Sequence, residues 1–355
     1  MTSLWEEAGR WFLRSGIQEP SGGVARYYRS DLGRNAPVSN EITGYAVSTL
    51  LYLHQRSGDP EYLDRAESAA RYLTQVAWDS STSTFPFEPA SACAYFFDLG
   101  IIVRGLLAAW RATGQEEFHA RAQEAALSMA FDFLGDGEFY PIISLPDKQP
   151  VLDAQSRAAE TRWSRRSGCY QLKAALAWHD LGNPEALRLF DAMLGSSLAT
   201  HEAFLSGEPD REKLMDRLHA YCYFLEALMA VADRESARRA LGEGIDRVAT
   251  LLREIAPAFE RSDVCGQLLR IRLIAHHAGA VPLDEKAACE EADRAVSYQA
   301  ASPDPRIHGG FWFGQKNGVT LPYVNPVSTG FCLQALALWQ DHRAGTWRFE
   351  LPELI

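Results

Sequence analysis

The chain has 355 residues, of which 47% are hydrophobic, and its formal net charge is −11 at pH 7. That charge argues against a nucleic-acid backbone as a partner, and no apolar run approaches the length of a membrane-spanning helix. The N-terminus has no basic, apolar leader, and the six cysteines are widely spaced. We therefore expect a cytoplasmic protein with free thiols that binds neither nucleic acid nor membrane.

A short turn motif recurs along the chain and divides it into helical hairpins. In each copy, a residue suited to a helix C-terminus precedes Asp, Asn or Gln as the cap of the next helix, and Glu follows in its first turn. The copies are Gly58-Asp59-Pro60-Glu61, Gly114-Gln115-Glu116-Glu117, Gly182-Asn183-Pro184-Glu185 and, in a weaker form, Ala232-Asp233-Arg234-Glu235. Their spacing is too long and irregular for the common short helical repeats, and it favours a closed ring of variable hairpins.

Twelve helices are predicted from these turns and from the apolar pattern. They span about 2–15, 40–57, 60–77, 97–113, 116–133, 167–181, 184–199, 215–232, 235–255, 263–278, 283–300 and 326–343. Small residues near the start of alternate helices form a second repeat: Gly44, Gly100, Gly168, Ala220, Gly266 and Gly330. The helices that carry this mark are the more apolar set and are predicted to form an inner ring. Their partners have one apolar stripe and a charged back, which is typical of an outer ring.

The links between the helices indicate where function lies. Links from inner to outer helices are short, whereas the return links, about 16–39, 78–96, 134–166, 200–214 and 301–325, are long and rich in Gly, Pro and aromatic residues. Binding surfaces are commonly built from such loops on a rigid scaffold. The inner helices also begin at this end, and their N-termini favour an anionic or polyhydroxyl ligand.

The alternation of helices resembles the (α/α)6 toroid of the six-hairpin glycosidases and their relatives. These relatives include unsaturated-uronyl hydrolases, the N-acylglucosamine 2-epimerase family and some polysaccharide lyases. The segments Thr43–Leu51 and Arg104–Gly114 are similar to hairpins of this superfamily. The resemblance covers nearly the whole chain and implies an all-α toroid. Because the hairpin series has no linker, we expect one domain over residues 1–355.

Carboxylates at the predicted N-termini of inner helices are the first catalytic candidates. Glu41, Asp98 and Asp263 lie two or three residues before a small-residue mark, and Asp216 opens the fourth inner helix. Glycoside hydrolysis needs one protonated and one ionised carboxyl group, and Glu41 with Asp98 is the preferred pair. A structural role in the first helical turn explains each of them equally simply.

Histidine offers a second mechanism. A sugar epimerase removes and returns a proton at a sugar carbon, which suits two imidazoles. His219 and His308 are the two histidines predicted at the functional end, and they are the alternative catalytic pair.

Aromatic and polar residues of the long links are typical of carbohydrate binding, because a sugar ring stacks on an aromatic plane while polar groups bond its hydroxyls. Arginines there would also bind a uronate carboxylate. The predicted substrate-binding residues are Arg26, Tyr27, Tyr45, Trp163, Arg165, Tyr170, Asp216, Trp312, Tyr323 and Asn325.

These patterns predict an enzyme that acts on a small carbohydrate, neutral or anionic, without a metal or another cofactor. The phrase Ser167-Gly168-Cys169-Tyr170 faintly resembles the zinc-binding phrase of lanthionine cyclases, but the companion Cys-His phrase of that family is missing. A zinc site at Cys169, Cys222, Cys265 and Cys332 is therefore disfavoured. A glycoside hydrolase of uronate-containing or similar oligosaccharides is the leading hypothesis. A histidine-dependent sugar epimerase and a non-catalytic carbohydrate-binding or scaffold toroid are the alternatives, and the oligomeric state is left open.

Overall fold

The computed structural model describes residues 3–151, 163–256 and 258–355. The middle of the predicted link 134–166 and the first residue of the first predicted helix lie outside the described residues.

The described residues form twelve α-helices, and the predicted all-α class is confirmed. They are α1 Leu4–Arg14, α2 Asn40–Ser57, α3 Pro60–Tyr72, α4 Phe96–Thr113, α5 Glu116–Phe131, α6 Gln171–Leu181, α7 Pro184–Phe204, α8 Arg211–Leu228, α9 Glu235–Ile255, α10 Ser262–His277, α11 Glu285–Ser297 and α12 Pro326–Ala344. A π-helical turn over Leu73–Ala77 continues α3. Among these helices, none combines the length and the apolar character needed to cross a membrane.

Short antiparallel ribbons fill the long links. The strands are β1 Tyr28–Arg29, β2 Arg34–Asn35, β3 Cys93–Tyr95, β4 Leu134–Gly135, β5 Glu138–Phe139, β6 Ile142–Ser144, β7 Phe259–Arg261, β8 Gly314–Lys316, β9 Val319–Thr320 and β10 Tyr323–Val324. They pair in the orders β10-β1-β2, β3-β6, β4-β5 and β7-β8-β9. β3 runs directly into α4 and β7 directly into α10, so the ribbons fix how these two helices begin.

The chain packs into two compact units. Unit A comprises Gln18–Val24 and Val38–Phe204, and unit B comprises Met1–Ile17, Ala25–Pro37 and Leu205–Ile355. In unit A, α2 packs on α4 and α4 on α6, while α3, α5 and α7 each cover one of them. In unit B, α10 packs on α8 and α12, while α9, α11 and α1 cover these three helices. Each unit thus contains three pairs of an inner and an outer helix. One domain over the whole chain stays a prediction.

The predicted tight turns are confirmed at three places. Gly58, Gly114 and Gly182 end α2, α4 and α6 in the left-handed conformation, with φ of 73°, 69° and 70°. This conformation suits glycine because it has no Cβ. Asp59 caps α3 through the N–H of Glu61, and Asn183 accepts a hydrogen bond from the N–H of Ala186. Gln115 occupies the N-cap of α5 as predicted but makes no side-chain capping bond, and the predicted cap at Asp233 is wrong because Arg234 occupies the N-cap of α9.

Three of the helix boundaries that differ from the prediction change the links between helices. α6 begins at Gln171, so Gly168 lies before the helix, where its N–H donates to the Gln171 side chain. α7 continues to Phe204 and α8 begins at Arg211, capped by Asp210. The predicted link 200–214 is therefore much shorter, and Asp216 lies inside α8 and does not open it. The Asp210 cap decided the start of α8, because its carboxylate accepts the N–H groups of Glu212 and Lys213.

Three of the small-residue marks, Gly44, Gly100 and Gly266, lie where inner helices of one unit meet. A Cβ at Gly44 would lie 3.0 Å from the Cα atom of Ile102 in α4, and one at Gly266 would lie 3.1 Å from the Cα atom of Cys332 in α12. At Gly100 the corresponding distance to the Cα atom of Ala174 in α6 is 2.4 Å. Backbone contact of this kind leaves no room for a side chain.

We expect Gly100→Ala to lower the free energy of unfolding by about 1–3 kcal/mol, because the added methyl group overpacks the contact between α4 and α6. Gly195→Ala is the matched control: Gly195 lies in α7 with no atom within 4 Å of an added Cβ. That variant should gain about 0.5–1 kcal/mol from helix propensity. Urea unfolding of both variants checks the prediction, and equal effects would contradict it.

Candidate functional site

In unit B, Arg261 joins two of the predicted acidic residues. It lies at the N-cap position of α10, where β7 ends. Its Nε and Nη2 atoms donate to the two carboxylate oxygens of Asp263 at 3.0 and 2.7 Å, and Nη1 donates to Asp216 Oδ1 at 2.7 Å. The guanidinium also lies over the Phe313 ring, 4.6 Å from its centroid. Asp263 is only 1% exposed, so the bidentate pair offsets the cost of burying its charge.

His219 lies in α8 beside this pair. Its Nδ1 atom is 2.8 Å from Gln267 Oε1 and 3.8 Å from Asp263 Oδ2. Because both neighbours are oxygens that accept hydrogen bonds, the proton of the neutral imidazole belongs on Nδ1. Nε2 is then the nitrogen that can take up a proton. Tyr223 packs edge-on against the ring, with centroids 4.6 Å apart.

The electrostatics set definite protonation states. Burial, reinforced by the positive charge of Arg261, lowers the pKa of His219 to about 4. Burial alone would raise the pKa of Asp263, but the charge and hydrogen bonds of Arg261, with smaller contributions from His219 and the Val264 N–H, together hold that pKa below its ordinary value. Near neutral pH the cluster therefore contains a neutral imidazole and an ionised carboxylate. Asp263 is unsuited to donate a proton as a general acid.

The low pKa of His219 makes stability fall in acid. Between the ordinary value of 6.5 and about 4, the unfolded chain binds a proton at this residue that the folded chain does not. Lowering the pH through this window should therefore cost about 3 kcal/mol of folding free energy, while above pH 6.5 the residue contributes no dependence. We expect His219→Gln to lose this part of the pH dependence. Urea unfolding of both proteins at pH 7 and pH 4.5 checks it, and parallel losses in the two would contradict it.

The partner histidine of the predicted pair has a different setting. His308 lies against α1, where its Nε2 atom is 3.1 Å from Glu7 Oε1, and its Nδ1 atom accepts the N–H of Ser302. Its side chain is 47% exposed. These contacts hold His308 at the surface against α1, and they lend no support to a joint role with His219.

The other predicted binding residues of unit B lie in its ribbons and links. Tyr27 and Tyr323 form an edge-to-face pair, with centroids 5.2 Å apart. Trp312 is half-buried, and its carbonyl accepts the Ser262 hydroxyl. Asn325 caps α12 by accepting the N–H of Ser328. Arg26 is half-buried, and its backbone N–H donates to the carbonyl of Pro37. Asn325 thus has a structural function, and substrate binding by this group stays a prediction.

In unit A, Asp98 lies beside an aromatic cluster. It is in the first turn of α4 and only 6% exposed. The cluster consists of Phe97, Trp163 and Tyr170, with ring centroids 4.8–5.9 Å apart. Burial, together with the negative charge of Asp98, raises the pKa of Tyr170, whose hydroxyl donates to the Arg166 carbonyl at 3.0 Å. The structure therefore brings three predicted site residues of this unit together.

The remaining candidates of unit A lie on α2 and in the link before α6. Glu41 is half-buried in the first turn of α2, and Tyr45, one turn further along, is buried. Arg165 is exposed in the short 3-10 helix Trp163–Arg165. α2 packs against α4, so Glu41 and Asp98 begin neighbouring helices, as predicted. Their catalytic pairing stays a prediction, as does a common cleft with the residues of unit B.

Sequence reasoning missed Arg261 and Gln267. Gln267 is fully buried, and its Nε2 atom has no hydrogen-bond partner within the described residues. The signals were present: Arg261 is two residues before Asp263, and Gln267 is four residues after it on the same helical face. The pairing with His219 was not visible, because it joins positions 48 residues apart.

The cysteines are free thiols, and four of the six are buried. The six cysteines, all within the described residues, form no disulfide bonds. Burial raises the pKa of Cys222 and Cys265 well above the ordinary value, which keeps them protonated, and a metal binds the thiolate form. Across 3–151, 163–256 and 258–355, no group of three or more His, Cys, Asp or Glu side chains is placed to hold a metal ion.

Comparison with known protein families finds no match, and comparison with curated proteins finds none either. Solved structures do match over nearly the whole chain. Cellobiose 2-epimerase from Spirochaeta thermophila DSM 6192 has a TM-score of 0.71 at 14% identity, covering 96% of this chain and 97% of that one. D-Mannose isomerase has a TM-score of 0.66 at 12% identity, covering 94% and 96%. An α-1,6-mannanase, GH76A of Salegentibacter sp. HEL1_6, has a TM-score of 0.57 at 10% identity, covering 95% and 99%.

These likenesses confirm the fold. The chain has the (α/α)6 toroid fold of these solved structures, as predicted. Enzymes with different reactions share this fold, so the fold by itself does not identify the reaction.

Proposed function

We propose that the protein is a carbohydrate-active enzyme that transfers a proton at a sugar carbon, in the class of sugar epimerases and isomerases, with His219 as the base. The observation that carries the proposal is the hydrogen bond between His219 Nδ1 and Gln267 Oε1, because it fixes the tautomer and leaves Nε2 to exchange protons. Its burial and neutral state support the same role. The epimerase and isomerase among the similar structures are consistent with this class.

The neighbouring groups suit such a reaction. When Nε2 removes the proton at C2 of a ring-opened aldose, negative charge develops on the substrate oxygens as an enediolate. Gln267 is fully buried, so its part is to accept the Nδ1–H of the imidazole and hold the ring in orientation. The imidazolium formed is stabilised by the Asp263 carboxylate, 3.8 Å from Nδ1, and Arg261 holds that carboxylate in place. Asp263 and Arg261 are therefore positioning residues in this mechanism.

The number of bases bears on the product. A single imidazole returns the proton to the face from which it removed it, and return at C1, with transfer of the hydroxyl proton from O2 to O1, converts an aldose into a ketose. Epimerisation at C2 requires a donor on the opposite face as well. Within unit B, His308 is bound to Glu7 on α1 and does not provide that donor. This favours isomerisation over epimerisation.

Product analysis tests the proposal. The full-length chain is incubated with reducing sugars, including mannose, cellobiose and N-acylhexosamines, and with α-1,6-mannotriose and unsaturated uronyl disaccharides. We expect one reducing sugar to be converted into its ketose or epimer without cleavage of any glycosidic bond. Release of shorter sugars would contradict the proposal and support a hydrolase, and binding without turnover would support a carbohydrate-binding protein.

A glycoside hydrolase with Glu41 and Asp98 is the second candidate. The burial of Asp98 beside Phe97, Trp163 and Tyr170 favours it, because burial and a nearby aromatic surface suit a general acid at a sugar-binding site. Under this hypothesis, Asp98→Asn abolishes cleavage of a glycoside and His219→Gln does not.

A further inference from the structure

A second group of histidines lies at the opposite ends of the inner helices of unit B. His276 and His277 are in the last turn of α10, and His342 is in the last turn of α12. The three ring centroids are 5.2, 5.3 and 5.9 Å apart. The proposed sugar chemistry does not use these residues, since its base His219 lies near the other end of this helical layer, beside the start of α10.

The hydrogen bonds fix the tautomer of His342. Its Nε2 atom is 2.8 Å from Glu285 Oε1, and its Nδ1 atom is 3.1 Å from His277 Nε2. Since the Glu285 carboxylate only accepts, the proton of neutral His342 belongs on Nε2 and the bare lone pair on Nδ1. His277 then donates from Nε2 to that lone pair. A carboxylate that holds the far nitrogen of an imidazole is the usual support of a metal-binding histidine.

The distances are those of ligands that share one ion. Two imidazole nitrogens bound to a tetrahedral zinc ion at the usual bond length lie about 3.3 Å apart, and their ring centroids about 5.2 Å apart. The His277 and His342 nitrogens are 3.1 Å apart, and their centroids are 5.3 Å apart. As placed, these two nitrogens share a hydrogen bond, whereas His276 is near them only by the position of its ring.

The surroundings of the three histidines attract positive charge. Both helices end here, and the negative ends of their dipoles attract positive charge. Trp347 stacks on His277, with centroids 3.8 Å apart and planes 7° from parallel, which holds the ring in orientation.

We propose that this cluster is a binding site for a divalent transition metal, Zn²⁺ in the first instance, held by His277 Nε2 and His342 Nδ1. The ion takes the place of the shared proton, and His277 changes to its Nδ1–H tautomer. His276 completes the protein ligands after its ring turns, water fills the fourth position, and Glu285 orients His342. The site is independent of the proposed sugar chemistry.

Calorimetric titration of the metal-free full chain with ZnCl₂ at pH 7.5 tests the proposal. We expect one Zn²⁺ per chain, with affinity at least a hundredfold lower in His342→Ala and about tenfold or more lower in Glu285→Gln. His119→Ala is the matched control, because His119 is also a helix-surface histidine stacked on a tryptophan, Trp110, and it should bind as the wild type does. Far-UV circular dichroism establishes that each variant is folded.

Tryptophan fluorescence supplies an independent readout. Cu²⁺ bound at this site should quench both Trp347, which stacks on His277, and Trp339, which stacks on His342, so Trp347→Phe should remove part of the quenching while the chain retains one Zn²⁺. Glu285 is 62% exposed, so Glu285→Gln serves as the test even where a histidine variant fails to fold. Two results would overturn the proposal. One is a wild-type protein that binds no Zn²⁺, and the other is equal Zn²⁺ affinity in the wild type, Glu285→Gln and His342→Ala.

Discussion

Replacing His219 by glutamine is expected to lower kcat for sugar isomerisation by about 10²–10⁴-fold, the usual contribution of a general base. The glutamine amide can still bond Gln267, but it has no basic nitrogen to accept the substrate proton. Steady-state kinetics on the sugar identified by product analysis measure the effect. Thermal unfolding shows whether the variant is folded.

Two controls make this result specific. His308→Gln should leave kcat unchanged, because His308 is bound to Glu7 at the surface of α1. Asp98→Asn in unit A should also leave isomerisation largely intact if its carboxylate serves the packing of α4. Full activity of folded His219→Gln would rule out His219 as the base, and equal losses in His219→Gln and His308→Gln would restore the histidine pair.

Arg270→Met is expected to be the most destabilising single substitution considered, with a loss of about 3–5 kcal/mol. Arg270 in α10 is fully buried, and its Nε atom donates to Glu226 Oε1 in α8 at 2.9 Å. Its Nη1 atom donates to Gln334 Oε1 in α12 at 3.1 Å, and its guanidinium lies 3.9 Å from the centroid of Phe331. Methionine fills part of the volume but leaves the Glu226 carboxylate buried without its cation. Urea unfolding at pH 7 gives the free energy.

The double variant Arg270→Met, Glu226→Leu is the control for that explanation. It removes both charges, so it should be more stable than Arg270→Met alone. If the double variant were no more stable than the single one, lost packing around Phe331 rather than the unpaired charge would explain the effect.

The hairpin architecture was readable from sequence because its signals are local. The inner helices α2, α4 and α6 each end at a glycine, namely Gly58, Gly114 and Gly182. Other glycines mark where the backbones of two inner helices touch: Gly44, Gly100 and Gly266. Local rules failed where another local interaction competed. Asp210 caps α8 and starts it earlier than the apolar pattern indicated, and the segment around Gly168 turns before α6 because its N–H bonds to Gln171.

The candidate site was only partly readable. The structure brings Asp98, Trp163 and Tyr170 together in unit A, where Asp98 begins α4 and Tyr170 precedes α6, and their role in a site stays a prediction. The cluster around His219 depends on contacts between α8, α10 and β7, which no local pattern encodes. His308 shows the converse: its place in a long link made it a candidate, but the link folds back on α1 through the Glu7 pair. A position in a long loop indicates that a residue is exposed. Whether it pairs with a second catalytic residue depends on tertiary contacts, which the sequence does not show.

Hydrogen exchange at the sugar carbon is the most direct test of the central claim, that His219 transfers a proton. Mannose and other reducing sugars are incubated with the enzyme in D₂O and followed by proton nuclear magnetic resonance. We predict that wild type replaces the C2 proton of a reducing sugar by deuterium, or moves it to C1, as an isomer forms, and that folded His219→Gln does neither. Exchange that persists in His219→Gln, or cleavage of a glycoside without any exchange at C2, would contradict the account.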